Sequence, residues 1–156
     1  MLSNEIAIDL PDGFLGSLKS SLPPERLFTD VAQCWAYGFD NSRKQATPQA
    51  VVLPVSHDEV VAITRLCNQY KVPLVLRGRG TGTTGGSVPV QGGLVMSMEQ
   101  MNQILEVDRE NRLMRVEPGV TRDIRASRRN GARPLQRRLC DRTRHPRAAG
   151  GRGVVR

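Results

Sequence analysis

Seven of the chain's 15 glycines fall between residues 78 and 93. They are concentrated in the run Arg77-Gly78-Arg79-Gly80-Thr81-Gly82-Thr83-Thr84-Gly85-Gly86-Ser87. Glycine lets a chain adopt positive φ and lets backbone N–H groups approach a ligand with no Cβ in the way, so successive amides can form a concave nest for anionic oxygen. Thr81, Thr83, Thr84 and Ser87 add hydroxyl donors, and Arg77 or Arg79 adds positive charge. Phosphate is the ligand such a loop suits. Gly80-x-Gly82-x-x-Gly85 matches the string of dinucleotide-binding loops, but those open a helix whose N-terminus faces the pyrophosphate. Here Val88-Pro89-Val90-Gln91-Gly92-Gly93 leads into another apolar stretch instead. No Gly-Lys-Ser/Thr closes the run, which excludes a nucleotide-triphosphate P-loop. The alternative, a flexible linker, fits poorly with a loop set between two apolar segments and preceded by a stiff Val72-Pro73.

The elements that must position this loop are legible on either side of it. Residues 1–47 read as a helical lead-in: Asp12 caps a short helix over Phe14, Leu15 and Leu18, Pro23-Pro24 ends it, and Glu25–Trp35 carries Leu27, Phe28, Val31 and Ala32 at helical spacing. Tyr37-Gly38-Phe39-Asp40-Asn41-Ser42 reads as a turn-rich connector, with Trp35, Tyr37 and Phe39 as packing residues. Val51-Val52-Leu53, bounded by Pro48 and Pro54, has the continuous apolar pattern of a strand covered on both faces. Ser56-His57-Asp58-Glu59 has capping-box spacing and opens a helix to about Tyr70, with Val60, Ile63, Leu66, Cys67 and Tyr70 on one stripe. Leu74-Val75-Leu76 follows as a second strand, giving a strand–helix–strand unit with a parallel pair. Gly93–Ser97 reads as a third strand and Met98–Gln103 as a turn or helical loop. Ile104–Val107 and Leu113–Val116 read as a hairpin about Asp108-Arg109-Glu110-Asn111.

Several of these motifs, in this order, resemble the FAD-linked oxidases. They are Pro48-x-x-Val51-Val52-x-Pro54-x-Ser56-x-x-Glu59-Val60, Val72-Pro73-Leu74-Val75-x-Arg77-Gly78-x-Gly80-Thr81-Gly82-x-x-Gly85-Gly86, Met101-Asn102-x-Ile104-Leu105-x-Val107-Asp108 and Glu117-Pro118-Gly119-Val120. Tyr37-Gly38-x-Asp40 extends the likeness into the lead-in. Within that group the chain is most similar to the flavin subunit of glycolate oxidase and to D-lactate dehydrogenases. The resemblance implies an α+β fold with an α/β-like first subdomain, the N-terminal and incomplete part of a p-cresol methylhydroxylase-type FAD-binding domain at 48–124. It implies FAD contacts at Arg77, Gly78, Gly80, Thr81, Gly82, Thr83, Gly85 and Gly86, and, by a weaker transfer, at Pro118 and Gly119. It implies hydride transfer from a glycolate- or D-lactate-like 2-hydroxy acid to FAD. The substrate and metal-binding residues of the family belong to a later domain, so no catalytic residue or metal ligand is assigned. Partner oxidase subunits, an iron-sulfur subunit among them, and a cytoplasmic place peripheral to the inner membrane are expected by analogy.

Charge divides the chain. The formal net charge is +8, yet residues 1–121 carry 11 basic and 13 acidic side chains, while the rest carries 12 Arg, no Lys and only Asp123 and Asp141 as acids. Where the family continues with a short helix, a Pro-Asp-Pro loop and a Gly-Gly-Asn segment, this chain gives Arg122-Asp123-Ile124 and then a run rich in Arg, Ala, Gly and Pro. Arginine without lysine is what GC-rich codons yield out of frame, so residues 125–156 read as a disordered or frameshifted tail and the chain alone as inactive. The alternative is an arginine-rich arm that binds nucleic acid through phosphates. Cys34, Cys67 and Cys140, widely spaced, offer no metal-ligand or disulfide pattern, and His57 reads as a solvated first-turn residue. No apolar run approaches the roughly 20 residues of a bilayer span, and no signal-peptide pattern opens the chain. Translating the gene in its other frames from about codon 125 should restore the Pro-Asp-Pro and Gly-Gly-Asn continuation; finding neither in any frame sinks the frameshift reading.

Overall fold

Val51 and Val52 form a strand because nothing polar interrupts them and both faces find cover. In the computed structural model, which describes residues 9–108 and 110–120, the order is α1 (Phe14–Ser21), a 3-10 turn (Pro24–Arg26), β1 (Leu27–Phe28), α2 (Val31–Trp35), β2 (Ala50–Val52), α3 (His57–Tyr70), β3 (Leu74–Arg77), β4 (Leu94–Ser97), β5 (Ile104–Asp108) and β6 (Leu113–Val116). The main sheet runs β1-β2-β4-β3, with β1 antiparallel to β2 and both β2 and β3 parallel to β4. The expected β2-α3-β3 unit is present, but its strands do not pair with each other. β4 lies between them, with Val95 opposite Val51 on one side and Val75 on the other. Every residue of β4 is buried, so it takes the centre, where both neighbours and both faces are covered. β3, with Leu76 57% exposed, takes the edge.

Strand alternation then sorts the core. Ala50, Val52, Leu94 and Met96 meet Phe14 and Leu18 of α1 and Ile63 and Cys67 of α3 on one face. Val51 and Val95 meet Cys34, Phe28, Tyr37 and Val75 on the other. The stripe foreseen on α3 is the one used: Ile63 and Cys67 are buried, and Val60, Leu66 and Tyr70 pack partly buried against the same core. Tyr70 meets Phe14 edge-on at 5.6 Å, a geometry aromatic quadrupoles favour.

Three local expectations are corrected. Asp12 does not cap α1; Gly13 holds the cap position at φ 83° with no side-chain cap. Glu25–Trp35 is not one helix, because it divides into the 3-10 turn, β1 and a five-residue α2 capped by Asp30. Pairing with β2 outweighs the helical spacing of Leu27 and Phe28. The Ser56–Glu59 box is half formed: Ser56 Oγ accepts from Glu59 N–H at 3.3 Å, but the Glu59 carboxylate accepts from Val55 N–H at 2.8 Å rather than from the cap residue. The hairpin of β5 and β6 is as expected, with Asn111 bonded through N and Nδ2 to the Asp108 carboxylate at 2.9 and 2.8 Å. Arg122-Asp123-Ile124 and the 125–156 tail lie outside the described residues.

Glu59 also takes a bidentate pair of bonds from Arg26, at 2.6 and 2.9 Å, while Arg26 O accepts from Leu53 N–H at 3.0 Å. One ion pair thus joins the lead-in, the end of β2 and the start of α3. The Arg26 hydrogen bond holds the Glu59 carboxyl below the ordinary glutamate range, against the opposing effect of burial. A folded-state pKa below the unfolded one means that this stabilisation is complete above the unfolded value of about 4.3 and is lost as pH falls through the folded value. Glu59→Gln should lower the unfolding free energy by about 1–3 kcal/mol at neutral pH, and the gap to the parent chain in urea melts should close below about pH 4. Equal midpoints at neutral pH would refute the role given to this pair.

Candidate cofactor-binding site

β3 and β4 are neighbours and parallel, so the chain leaving Arg77 must return to the opposite end of the sheet before Leu94 can pair. Such crossovers are ordinarily helical. Here the sixteen residues 78–93 do it without a helix. The loop departs from the carboxyl edge of the parallel strands, the edge at which α/β sheets hold ligands. It turns tightly at its far end, through Val88 N–H to Gly85 O at 3.2 Å and Gly92 N–H to Pro89 O at 2.8 Å. Gly85 at φ 84° and Gly92 at φ 70° supply left-handed conformations at these reversals, and Gly80 at φ 64° supplies one nearer the loop's start.

The backbone N–H groups of residues 79–84 donate to no acceptor among the described residues. Gly78, Gly82 and Gly86 have ordinary φ, and the atoms nearest a Cβ at each would be Pro118 O at 3.7 Å, Asp40 Oδ2 at 3.6 Å and Thr84 Oγ1 at 3.8 Å. Neither conformation nor internal packing demands glycine at these three positions. A group approaching the backbone from outside would. Unpaired amides lined by residues without Cβ are what an anionic diphosphate requires, so the residues present fit one.

The base of the loop is fixed from beneath. Arg77 Nη1 donates to Phe39 O at 2.5 Å, and its guanidinium lies 5.8 Å from the Tyr37 ring centre and 6.0 Å from that of Phe39. A Cβ on Gly80 would collide with that guanidinium. Tyr37 donates to Glu99 Oε1 at 2.9 Å; burial, then this bond, push its hydroxyl up to about 12, so it is a donor at neutral pH. Trp35 and Phe39 pack on each other at 5.3 Å but stay 52% and 39% exposed, so only Tyr37 of the three aromatics joins the core.

Of the residues singled out by sequence, Arg77, Gly78, Gly80, Thr81, Gly82, Thr83, Gly85 and Gly86 lie along the base and arm of this one loop. Pro118 is brought to its start, with its carbonyl 3.7 Å from the position of a Gly78 Cβ. Gly119 has an internal reason: it is buried, and a Cβ there would strike the carbonyls of Met98 and Met101. Asp40, Asn41 and Lys44 carry no site role in the sequence reading, and Ser87, read there as a hydroxyl donor for the ligand, bonds Asp40 instead. Asp40 is buried and accepts from Ser42 N–H at 2.8 Å and from Ser87 Oγ at 3.3 Å. The Lys44 stem runs over Gly85, with Cδ 3.0 Å from where a Cβ would stand. The Asp-x-Ser spacing of 40–42, an Asx-turn signal, was the clue available. Ser97 Oγ, buried at the end of β4 opposite Arg77, has no hydrogen-bond partner among the described residues. Cys34 and Cys67 are buried, and burial raises both thiols, Cys67 to about 11, which leaves them protonated and inert at neutral pH.

The chain is 42% identical over 98 residues to glycolate oxidase subunit GlcD of Bacillus subtilis (strain 168), across 62% of this chain and 21% of that protein. It is 42% identical over 91 residues to a D-lactate dehydrogenase of Archaeoglobus fulgidus, covering 55% and 20%. It is 38% identical over 107 residues to a D-2-hydroxyglutarate dehydrogenase of Stutzerimonas stutzeri (strain A1501), covering 68% and 23%. The chain thus spans about a fifth to a quarter of the length of these curated relatives. Its fold matches p-cresol methylhydroxylase with substrate bound at TM-score 0.62 and 25% identity, over 72% of this chain and 24% of that one. An alkyldihydroxyacetonephosphate synthase matches at TM-score 0.56 and 29% identity, over 62% and 22%. The FAD-binding-domain model matches residues 48–125, half of the chain and the whole strand–helix–strand–loop unit, and the chain therefore belongs to the FAD-binding domain family.

Proposed function

We propose that this chain forms the diphosphate-holding part of a FAD-dependent 2-hydroxy-acid dehydrogenase. The observation that carries the reading is the row of N–H groups at 79–84 with no acceptor among the described residues, set among Gly78, Gly82 and Gly86, where a Cβ would meet only ordinary contact. Bound FAD supplies the hydride-accepting group. Gly80, Thr81, Gly82 and Thr83 hold the diphosphate through backbone amides, Gly78, Gly85 and Gly86 keep its approach free of side chains, and Thr81 and Thr83, both exposed, add hydroxyl donors. Arg77 fixes the base of the loop, since its guanidinium is committed to Phe39 O and to the two rings. Pro118 and Gly119 form the turn facing the loop's start, close to the flavin side of the cradle.

Relatives named glycolate oxidase, D-lactate dehydrogenase and D-2-hydroxyglutarate dehydrogenase share a 2-hydroxy-acid chemistry, which supports a small 2-hydroxy acid as substrate. The subunit named in the Bacillus subtilis and Escherichia coli relatives supports assembly with further oxidase subunits; that one of them carries an iron-sulfur cluster is part of the proposal. No helix among the described residues is long and apolar enough to cross a membrane, and a cytoplasmic site, peripheral to the inner membrane through those partners, fits this composition. The arginine-rich alternative rests on residues outside the described part.

Titration of FAD into the full chain, followed by flavin fluorescence anisotropy, should saturate and be reversed by ADP but not by adenosine, because the loop reads the diphosphate. Gly82→Val, which puts a branched side chain into the loop with its Cβ 3.6 Å from Asp40 Oδ2, should weaken binding by at least about tenfold, the equivalent of roughly 1.4 kcal/mol. Binding that adenosine reverses as well as ADP, or that survives Gly82→Val unchanged, would overturn the assignment.

A further inference from the structure

At the middle of the loop's amide row two carbonyls are engaged on the lead-in side. Asn41 N–H donates to Gly82 O at 2.9 Å, and Asn41 Nδ2 reaches Thr81 O at 3.5 Å. Every described peptide bond is trans, and in a trans peptide the C=O and N–H point in opposite directions. The Thr81 carbonyl shares its peptide with the Gly82 N–H, and the Gly82 carbonyl with the Thr83 N–H. Drawing both carbonyls toward residue 41 therefore turns both N–H groups away from the lead-in.

Asn41 can do this only if its own turn is rigid, and Asp40 makes it so. The Asp40 carboxylate closes an Asx-turn with Ser42 N–H at 2.8 Å and reaches Ser87 Oγ, at the far end of the loop, at 3.3 Å. Hydrogen bonds from Ser42, from its side chain and then its backbone, hold the Asp40 carboxyl below the usual aspartate range, with Ser87 and Gly85 N–H contributing in the same direction against burial. The carboxylate is therefore charged at neutral pH, the state in which it accepts from several donors at once. On the lead-in side, Gly38 packs so closely that a Cβ would strike Ala46 O, and Ala46 N–H returns to Gly38 O at 2.9 Å.

We infer that Asp40-Asn41 is the positioning element of the cradle, setting the carbonyls of Thr81 and Gly82 inward so that the Gly82 and Thr83 amides face the anionic ligand. This rests on the flavin reading for the ligand's identity, but the orientation of the loop does not. Asp40 and Asn41 touch no ligand atom in this scheme; they act through the backbone they hold.

The experiment compares the full chain with Asp40→Ala, Asp40→Asn and Ser87→Ala by three readouts: amide hydrogen exchange without FAD, FAD affinity by fluorescence anisotropy, and thermal midpoint. Asp40→Ala should speed exchange in 79–87 while α3 keeps its protection, and raise the FAD Kd about tenfold or more. Asp40→Asn should recover part of that loss, since one oxygen remains to accept from Ser42 N–H. A general loss of stability would speed exchange in α3 as well and would show no such recovery, and that result overturns the inference. Should Asp40→Ala fail to fold, Ser87→Ala, which removes only the far bond, should raise the Kd about threefold with the midpoint unchanged. Unaltered loop exchange and FAD affinity in all variants also overturn it and leave the flavin reading intact. A parent chain that ignores FAD while Asp40→Ala still loosens 79–87 overturns the flavin reading and upholds the positioning role.

Discussion

Everything about the site follows from β4 pairing in parallel with β3 without a helix between them. The parallel ladder obliges the chain to travel the length of the sheet before it can pair, and the sixteen-residue route is taken by a segment that has no ladder or helix of its own to satisfy its amides. In a helical crossover those N–H groups would be consumed internally. In this one those of residues 79–84 donate to no acceptor among the described residues. The same connection that solves the topology thus leaves a row of donors at the carboxyl edge of the sheet, where the ends of β3 and β4 and the Met98–Met101 turn meet Pro118-Gly119.

A loop with unpaired amides would sample many shapes if nothing held it. The lead-in holds it. β1 extends the sheet by pairing with β2, Arg26 bonds Glu59 at the start of α3, and the segment from Tyr37 to Ser42 lies under the loop with bonds to residues 77, 81, 82 and 87. These are mostly hydrogen bonds to backbone or to buried carboxylate, whose removal strands a partner and so costs more than the bond's net worth. The lead-in is accordingly part of the unit that shapes the loop, although the family match begins at residue 48.

Much of this was legible in the chain. The apolar runs at Val51–Leu53 and Leu94–Ser97, the stripe on α3 and the hairpin about Asp108 each follow from a local period that the tertiary structure kept. The glycine loop stood out because composition alone forces the question of why so many residues lack a Cβ. What was not legible depended on partners distant in sequence. Leu27 and Phe28 have helical spacing but became a strand when β2 offered an edge; β2 and β3 look adjacent until the more deeply buried β4 takes the place between them; Gly13 rather than Asp12 caps α1.

The sequence by itself determined the chemistry on offer: amides without side chains, hydroxyls interleaved with them, arginine at the base, and strands to either side. Those are properties of residue types and short spacings, and the family likeness in Pro48–Val120 rests on the same positions. Only the tertiary structure decided which way the amides face. That depends on Asn41 drawing the carbonyls of Thr81 and Gly82 to one side, across a separation of some forty residues, and on Asp40 fixing the turn that carries it. No local pattern encodes such a contact, because it exists only once β4 has brought the loop back over the lead-in.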